Sequence, residues 1–70
     1  QKYEEALTIF NATTQLEPTN AYHYFNLGMV QKVLKDYEAA RNSFQVAVQI
    51  KPDYAEARAQ LELLEQALAS

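Results

Sequence analysis

The stretch FNLGMVQKVL, residues 25–34, contains the one glycine of the chain in the middle of an apolar segment that predicts a helix. Glycine in a helix interior costs about 1 kcal/mol relative to alanine. A small chain can accept that cost when the missing side chain allows a second helix to approach closely. We therefore predict that Gly28 lies at a helix–helix crossing, and that Ala40 on the following helix is the residue that meets it.

The sequence around this stretch repeats itself with a period of 34 residues. At that shift, several aromatic, alanine, leucine and proline positions coincide with the same residue type. The coinciding pairs are Tyr3 and Tyr37, Ala6 and Ala40, Phe10 and Phe44, Pro18 and Pro52, Ala21 and Ala55, and Leu27 and Leu61. A fixed period of this size is typical of stacked supersecondary units.

Proline and capping residues divide the chain into four helices. Pro18 and Pro52 end helices, because the residue before a proline is pushed out of the α conformation. Asn20, Asp36 and Asp53 are predicted N-caps, since their side-chain oxygens can accept hydrogen bonds from the first backbone amides. The expected helices cover roughly 2–16, 21–34, 37–50 and 54–68. The link between the second and third is short, which predicts an antiparallel hairpin.

Helices one and three carry apolar residues at three- and four-residue steps, which predicts one buried face on each. In helix one these residues are Tyr3, Ala6, Leu7, Phe10, Thr13 and Leu16; in helix three they are Tyr37, Ala40, Phe44, Ala47 and Ile50. Helix two is apolar on nearly all sides, so we place it centrally. Tyr3, Tyr37, Phe10 and Phe44 are predicted packing residues, and Tyr54 is expected to cover the end of the hairpin.

The second and third helices resemble the tetratricopeptide repeat family, whose signature is W-x2-L-G-x2-Y, then A-x3-F, then P. The matching residues are Tyr24, Leu27, Gly28, Ala40, Phe44 and Pro52. Two positions depart from the signature, because Tyr24 replaces tryptophan and Gln31 stands where the family prefers tyrosine. The resemblance implies an all-α fold of antiparallel helix hairpins stacked as an α-solenoid.

The resemblance also implies a domain organisation. Residues 1–70 form one domain, in which 1–20 are the second helix of a partial repeat, 21–54 a complete repeat and 55–70 a C-terminal capping helix. The cap is expected because Glu62 occupies the position equivalent to Gly28, and an unpaired charge is expensive to bury. We expect the chain to be a fragment of a longer array; the alternative is that helix one starts the natural domain.

In this family the first helices of the repeats line a concave groove that commonly binds a peptide segment. When the sequence is aligned with the family's repeat, ten residues correspond to this groove. They are Tyr22, Phe25, Asn26, Met29, Lys32, Val33, Glu56, Ala59, Gln60 and Leu63. The alternative is that some of them pack against helix four or another neighbour. A carboxylate clamp, which some members build from lysine and asparagine, is not expected, because Phe25 and Met29 occupy two of its positions. Apolar contacts should dominate binding, with Lys32 and Asn26 orienting the partner.

The composition argues against several other classes of protein. The chain has no cysteine and no cluster of metal ligands, so neither a metal nor another cofactor is expected. A net charge of −3 without a basic stripe argues against nucleic acid as a partner. No apolar run approaches the roughly 20 residues that a membrane span needs. The N-terminus does not resemble a signal peptide, so we expect a soluble protein, with the cytoplasm favoured.

No catalytic constellation can be assembled from this sequence, so we expect no enzymatic activity. His23 has no carboxylate one helical turn away, and Ser43 has no plausible nearby base. Glu62 and Glu65 are one turn apart but are better explained as a solvated helix face.

Two functions follow from these patterns. The leading one is a protein–protein interaction module that binds a peptide segment or partner protein in the concave groove. The alternative is a structural module that self-assembles, dimerising through the exposed face of helix one. The physical reason for dimerisation is that Ala6, the equivalent of Ala40, has no neighbouring helix to pack against it.

Overall fold

Four helices form the chain in a computed structural model, which describes residues 2–69. They are α1 (Lys2–Leu16), α2 (Ala21–Val33), α3 (Tyr37–Ile50) and α4 (Ala55–Ala69), with no strand in the described part. Consecutive helices pack on one another, α1 on α2, α2 on α3, and α3 on α4. The predicted all-α fold of stacked helix hairpins is confirmed. Gln1 and Ser70, which the predicted domain includes, lie outside the described residues.

Helix bounds differ from the predicted ones by one residue at three ends. The helix α2 ends at Val33, and α4 begins at Ala55 and ends at Ala69.

Two of the predicted N-caps are present. Asn20 Oδ1 accepts from the Tyr22 amide at 3.0 Å, and Asp36 Oδ1 accepts from the Ala39 amide at 3.4 Å. Both links therefore satisfy backbone amides that the start of a helix leaves without partners.

The predicted N-cap at Asp53 is wrong by one position. The Tyr54 carbonyl accepts from the Arg58 amide at 3.0 Å, which makes Tyr54 the residue that precedes α4. Asp53 lies outside the helix, and its carboxylate accepts from the Lys51 ammonium at 3.4 Å. The cause is that the chain turns once more after Pro52 before the helix begins.

The link between α2 and α3 is closed by a Schellman motif. The Lys35 amide donates to the Lys32 carbonyl at 3.0 Å, and the Asp36 amide donates to the Gln31 carbonyl at 2.9 Å. Lys35 takes the left-handed conformation that this motif needs, with φ of 66°. Asp36 then caps α3 directly. The two helices are consequently joined by a minimal hydrogen-bonded turn.

The core lies between α2, α3 and α4 in two adjoining clusters. One holds Ala21, Ala47, Tyr54 and Ala57; the other holds Ala40, Phe44 and Leu64. Phe44 is 0% exposed, as predicted, and is the largest fully buried side chain. Phe25 packs against both clusters and so joins them.

Gly28 lies at a close crossing of α2 and α3, and the residue nearest to its missing side chain is Phe44 rather than the predicted Ala40. A methyl group added at Gly28 would lie 2.8 Å from Phe44 Cε1 and 2.9 Å from Phe44 Cζ. The nearest atoms all belong to that ring, and Ala40 is not among them. Ala40 is instead fully buried in the cluster that Phe44 forms with Leu64. The glycine therefore makes room for an aromatic ring rather than for a second small residue.

Three residues of the predicted buried faces are exposed. Tyr3 and Tyr37 stand in the first turns of α1 and α3, and Leu16 is the last residue of α1. Side chains on a helix lean toward its N-terminus, so a first-turn residue projects beyond the neighbouring helix. The tyrosines are therefore not packing residues of the core. Phe10 is half-buried.

Candidate functional site

The predicted groove corresponds to a surface formed by α2 and α4. We call it the α2/α4 face and define it by the ten predicted residues. The rings of Tyr22 and Tyr54 meet at the start of both helices, with centroids 5.2 Å apart. Farther along, the Lys32 ammonium donates to Gln60 Oε1 at 2.7 Å. The order of these contacts means that the two helices run in the same direction.

Six of the ten residues are exposed and four are half-buried. The exposed residues are Tyr22, Asn26, Val33, Glu56, Ala59 and Leu63; the half-buried residues are Phe25, Met29, Lys32 and Gln60. Large apolar side chains among the exposed set are Tyr22 at 55%, Val33 at 49% and Leu63 at 57%. Both helices thus contribute apolar surface that the rest of the described chain does not cover.

Phe25 and Met29 belong partly to the core, which is the alternative that the sequence left open. The Phe25 ring lies 5.6 Å from the Phe44 ring and 5.2 Å from the Tyr54 ring, measured between centroids. Met29 packs against the cluster of Ala40, Phe44 and Leu64. These two residues form a fixed floor beneath the exposed side chains. Truncating them should destabilise the fold, so they are poor probes of binding.

Tyr54 contributes more than the predicted cover of the hairpin end. Its side chain is buried, and its ring contacts both Tyr22 and Phe25. Burial raises the pKa of the Tyr54 hydroxyl, and the charges of Glu56 and Tyr22 add to that rise. Repeat comparison could not find this role, because the residue 34 positions earlier is Asn20, a polar cap. The feature of the sequence that could have indicated this role is the position of Tyr54 directly before α4.

Ser43 and Gln31 tie α2 to α3 through their side chains. The buried Ser43 hydroxyl donates to Gln31 Oε1 at 2.6 Å. Gln31 is one of the two positions at which the sequence departs from the family signature, and its side chain has a hydrogen-bond partner on α3. The Ser43 hydroxyl therefore contributes to the packing of α3 on α2.

His23 has a carboxylate neighbour that the sequence analysis missed. Its Nε2 lies 2.9 Å from Glu17 Oε1, and Asn20 Nδ2 donates to the same oxygen at 3.1 Å. The Asn20 hydrogen bond, then the His23 hydrogen bond and charge, lower the pKa of Glu17 below 4.5. The prediction considered only partners on the same helix, whereas Glu17 comes from the preceding loop. The group fastens a loop to the start of α2.

The described residues contain no group of three or more His, Cys, Asp or Glu side chains that could hold a metal ion. Over residues 2–69, no helix is both long and apolar enough to cross a membrane.

Comparison with protein families gives a match that covers α2 and parts of the helices on either side of it. A family model of the tetratricopeptide repeat matches residues 9–42, from the middle of α1 into α3. Residues 9–42 are a tetratricopeptide repeat. The matched stretch, from 9 to 42 inclusive, has the length of the 34-residue period. The predicted repeat, 21–54, has the same length but begins twelve residues later. No curated protein matches the chain.

Tetratricopeptide repeats generally mediate protein–protein interactions, so the partner expected for this chain is a protein. The family is typically non-enzymatic. The exposed side chains of the α2/α4 face are apolar, amide and carboxylate groups, and the half-buried Phe25 and Met29 pack between them and the core. Such a surface can exclude water from the apolar side chains of a bound segment and form hydrogen bonds with its polar groups.

Proposed function

We propose that this tetratricopeptide-repeat module binds a segment of a partner protein across the α2/α4 face, chiefly through apolar contacts, and has no catalytic role. The observation that carries the proposal is the exposure of Tyr22, Val33 and Leu63 on α2 and α4. The Tyr22–Tyr54 ring contact and the Lys32–Gln60 hydrogen bond hold this surface together. Exposed apolar side chains gathered on one surface are typical of interaction sites.

The half-buried residues of this face support the proposal because their side chains already have partners. Phe25 is packed against Phe44 and Tyr54, and Lys32 is held by Gln60. A partner therefore does not have to order these side chains when it binds. Ordering a flexible side chain at an interface costs about 0.5–1.5 kcal/mol, so a preformed floor raises affinity.

A matched set of variants tests the proposal. Peptides selected on the chain from a random display library would be measured by fluorescence anisotropy against Leu63→Ala and Tyr22→Ala. Loss of one apolar anchor should weaken binding about three- to tenfold. Ile9→Ala is the control, because Ile9 is equally exposed but lies on α1. Equal affinities for all four proteins, with unchanged helical content, would contradict the proposal.

Self-association through α1 is the second candidate. Ile9 is 59% exposed and Leu16 is 80% exposed, and both lie on α1, which packs mainly on α2. Light scattering over a concentration series would detect a dimer, and Ile9→Glu should return it to a monomer. A monomer at the highest concentration would rule this candidate out.

A further inference from the structure

One end of the α2/α4 face combines an exposed aromatic ring with a carboxylate. Tyr22 is more than half exposed, and its ring is held edge-on against the buried Tyr54. Glu56 follows Tyr54 by two residues, in the first turn of α4, and is exposed. The charge of Glu56 contributes to the raised pKa of Tyr54, which agrees with its lying near this ring pair. Glu56 also lies one helical turn before Gln60, which contacts Lys32 of α2, so it stands on the side of α4 that faces α2, at the corner of the face where the Tyr22 ring lies.

The Glu56 carboxylate has no cation within the described part of the chain. The basic groups that lie near it in sequence have other partners: Lys51 donates to Asp53, and the Arg58 guanidinium donates to the Pro52 carbonyl at 3.3 Å. The one imidazole lies against Glu17. This corner therefore presents a carboxylate without an ion-pair partner beside an exposed tyrosine ring.

The opposite end of the face has the opposite sign. Lys32 stands ten residues after Tyr22 on α2, which is about 15 Å along a helix. Its ammonium is half-buried and held by Gln60. The apolar residues Val33 and Leu63 complete the surface. The face is consequently dipolar, with a carboxylate near the start of the helices and an ammonium farther along.

We propose that the corner formed by Tyr22 and Glu56 binds a basic side chain of the partner segment, with arginine preferred. This inference rests on the proposed function of the α2/α4 face. A guanidinium can stack on the exposed tyrosine ring while it donates to the carboxylate, and it gives up its hydration more readily than an ammonium does. The partner is therefore a segment that combines one basic residue with apolar residues, rather than an acidic segment.

Three synthetic peptides test this inference. They share an apolar core of leucine, valine and alanine, flanked by serines, and differ at one end residue, which is arginine, glutamine or glutamate. Each would be titrated into the chain and into Leu63→Ala, Glu56→Gln and Glu65→Gln. Glu65→Gln is the matched control, because it removes the same charge from α4 on the side that adjoins Val48 and Pro52. Circular dichroism would check that each variant keeps its helices.

The arginine peptide should bind about two- to fivefold more tightly than the glutamine peptide, and the glutamate peptide should bind most weakly. The preference should disappear in Glu56→Gln and persist in Glu65→Gln. It should also shrink at about 1 M ionic strength, where the screening length falls to about 3 Å.

Two results would overturn the inference while leaving the docking face standing. One is Leu63-dependent binding with equal affinity for all three peptides; the other is an arginine preference that Glu56→Gln does not change. If no peptide binds, or if binding does not depend on Leu63, the docking face itself fails and this inference fails with it.

Discussion

The helices α1 and α3 have several identical residues one period apart, yet their side chains have different surroundings. Phe44, Ala40 and Ala47 on α3 are 0% exposed, whereas their equivalents on α1, Phe10, Ala6 and Thr13, are half-buried. The reason is position: α3 lies between α2 and α4, while α1 packs on α2. A repeat motif therefore specifies which face of a helix is apolar, and the neighbours decide how much of that face is buried.

Truncation of the equivalent phenylalanines would test this comparison most strongly. Phe44→Ala should cost about 3–5 kcal/mol of unfolding free energy, because the ring is completely enclosed. Phe10→Ala should cost roughly half of that or less, since part of its surface already contacts water. Urea denaturation followed by circular dichroism gives both values. Because Phe44→Ala can unfold so small a domain, Phe44→Leu and Phe10→Leu provide a milder pair; equal losses within a pair would refute the difference in burial.

Filling the gap at Gly28 would test the crossing that buries Phe44. Gly28→Leu should destabilise the chain by about 1–3 kcal/mol or more, because the added side chain overlaps the Phe44 ring. Glu62→Leu is the matched control at the equivalent, exposed position of α4, and should change stability by less than about 0.5 kcal/mol. A melting temperature of Gly28→Leu equal to or above that of the parent chain would contradict the close crossing.

The positions Ser43 and Ile9 are equivalent in the repeat but differ in their partners. Ser43→Ala should cost about 1 kcal/mol, because it removes the hydrogen bond to Gln31 and leaves the amide oxygen half-buried. Ile9→Ala should change stability by no more than about 0.5 kcal/mol, since Ile9 is exposed. Thermal unfolding of both variants gives the comparison. Similar changes would mean that the Ser43–Gln31 contact adds little to the hairpin.

The smallest expected effect on stability concerns the two equivalent loops that contain Pro18 and Pro52. Glu17, with its lowered pKa, fastens the first loop, whereas the ring of Tyr54 packs into the core at the second. A carboxylate whose folded pKa is below 4.5 contributes stability that is present above about pH 4.5 and is lost as pH falls through the lowered value. Glu17→Gln should remove that part of the acid dependence in thermal melts. An identical pH profile for the variant would exclude the contribution.

Much of this architecture follows from local patterns in the sequence. Helix periodicity, two prolines and the 34-residue repeat are enough to predict four helices, a central α2 and a buried Phe44. These features depend on the backbone and on the apolar face of each element, which nearby residues encode. The match to the tetratricopeptide repeat follows from the same residues.

The contacts between elements were harder to predict. That Gly28 meets Phe44 rather than Ala40 depends on how far one helix is displaced along the other, which a repeat pattern does not specify. The pairs of Glu17 with His23 and Lys32 with Gln60 join residues of different elements, so no helical spacing could reveal them. At the candidate site, the ten residues of the α2/α4 face are a prediction from the sequence, and the division between half-buried and exposed residues among them depends on neighbouring side chains that the repeat pattern does not specify.

The turn that joins α2 to α3 also limits how the chain can change in length. One added residue between Lys35 and Asp36 would advance α3 by about 100° around its axis, because a helix has 3.6 residues per turn. The Phe44 ring would then no longer face Gly28, and the hydrogen bond between Ser43 and Gln31 would be lost. Insertions and deletions should therefore be rejected at this turn, even where the identity of its residues is free to vary.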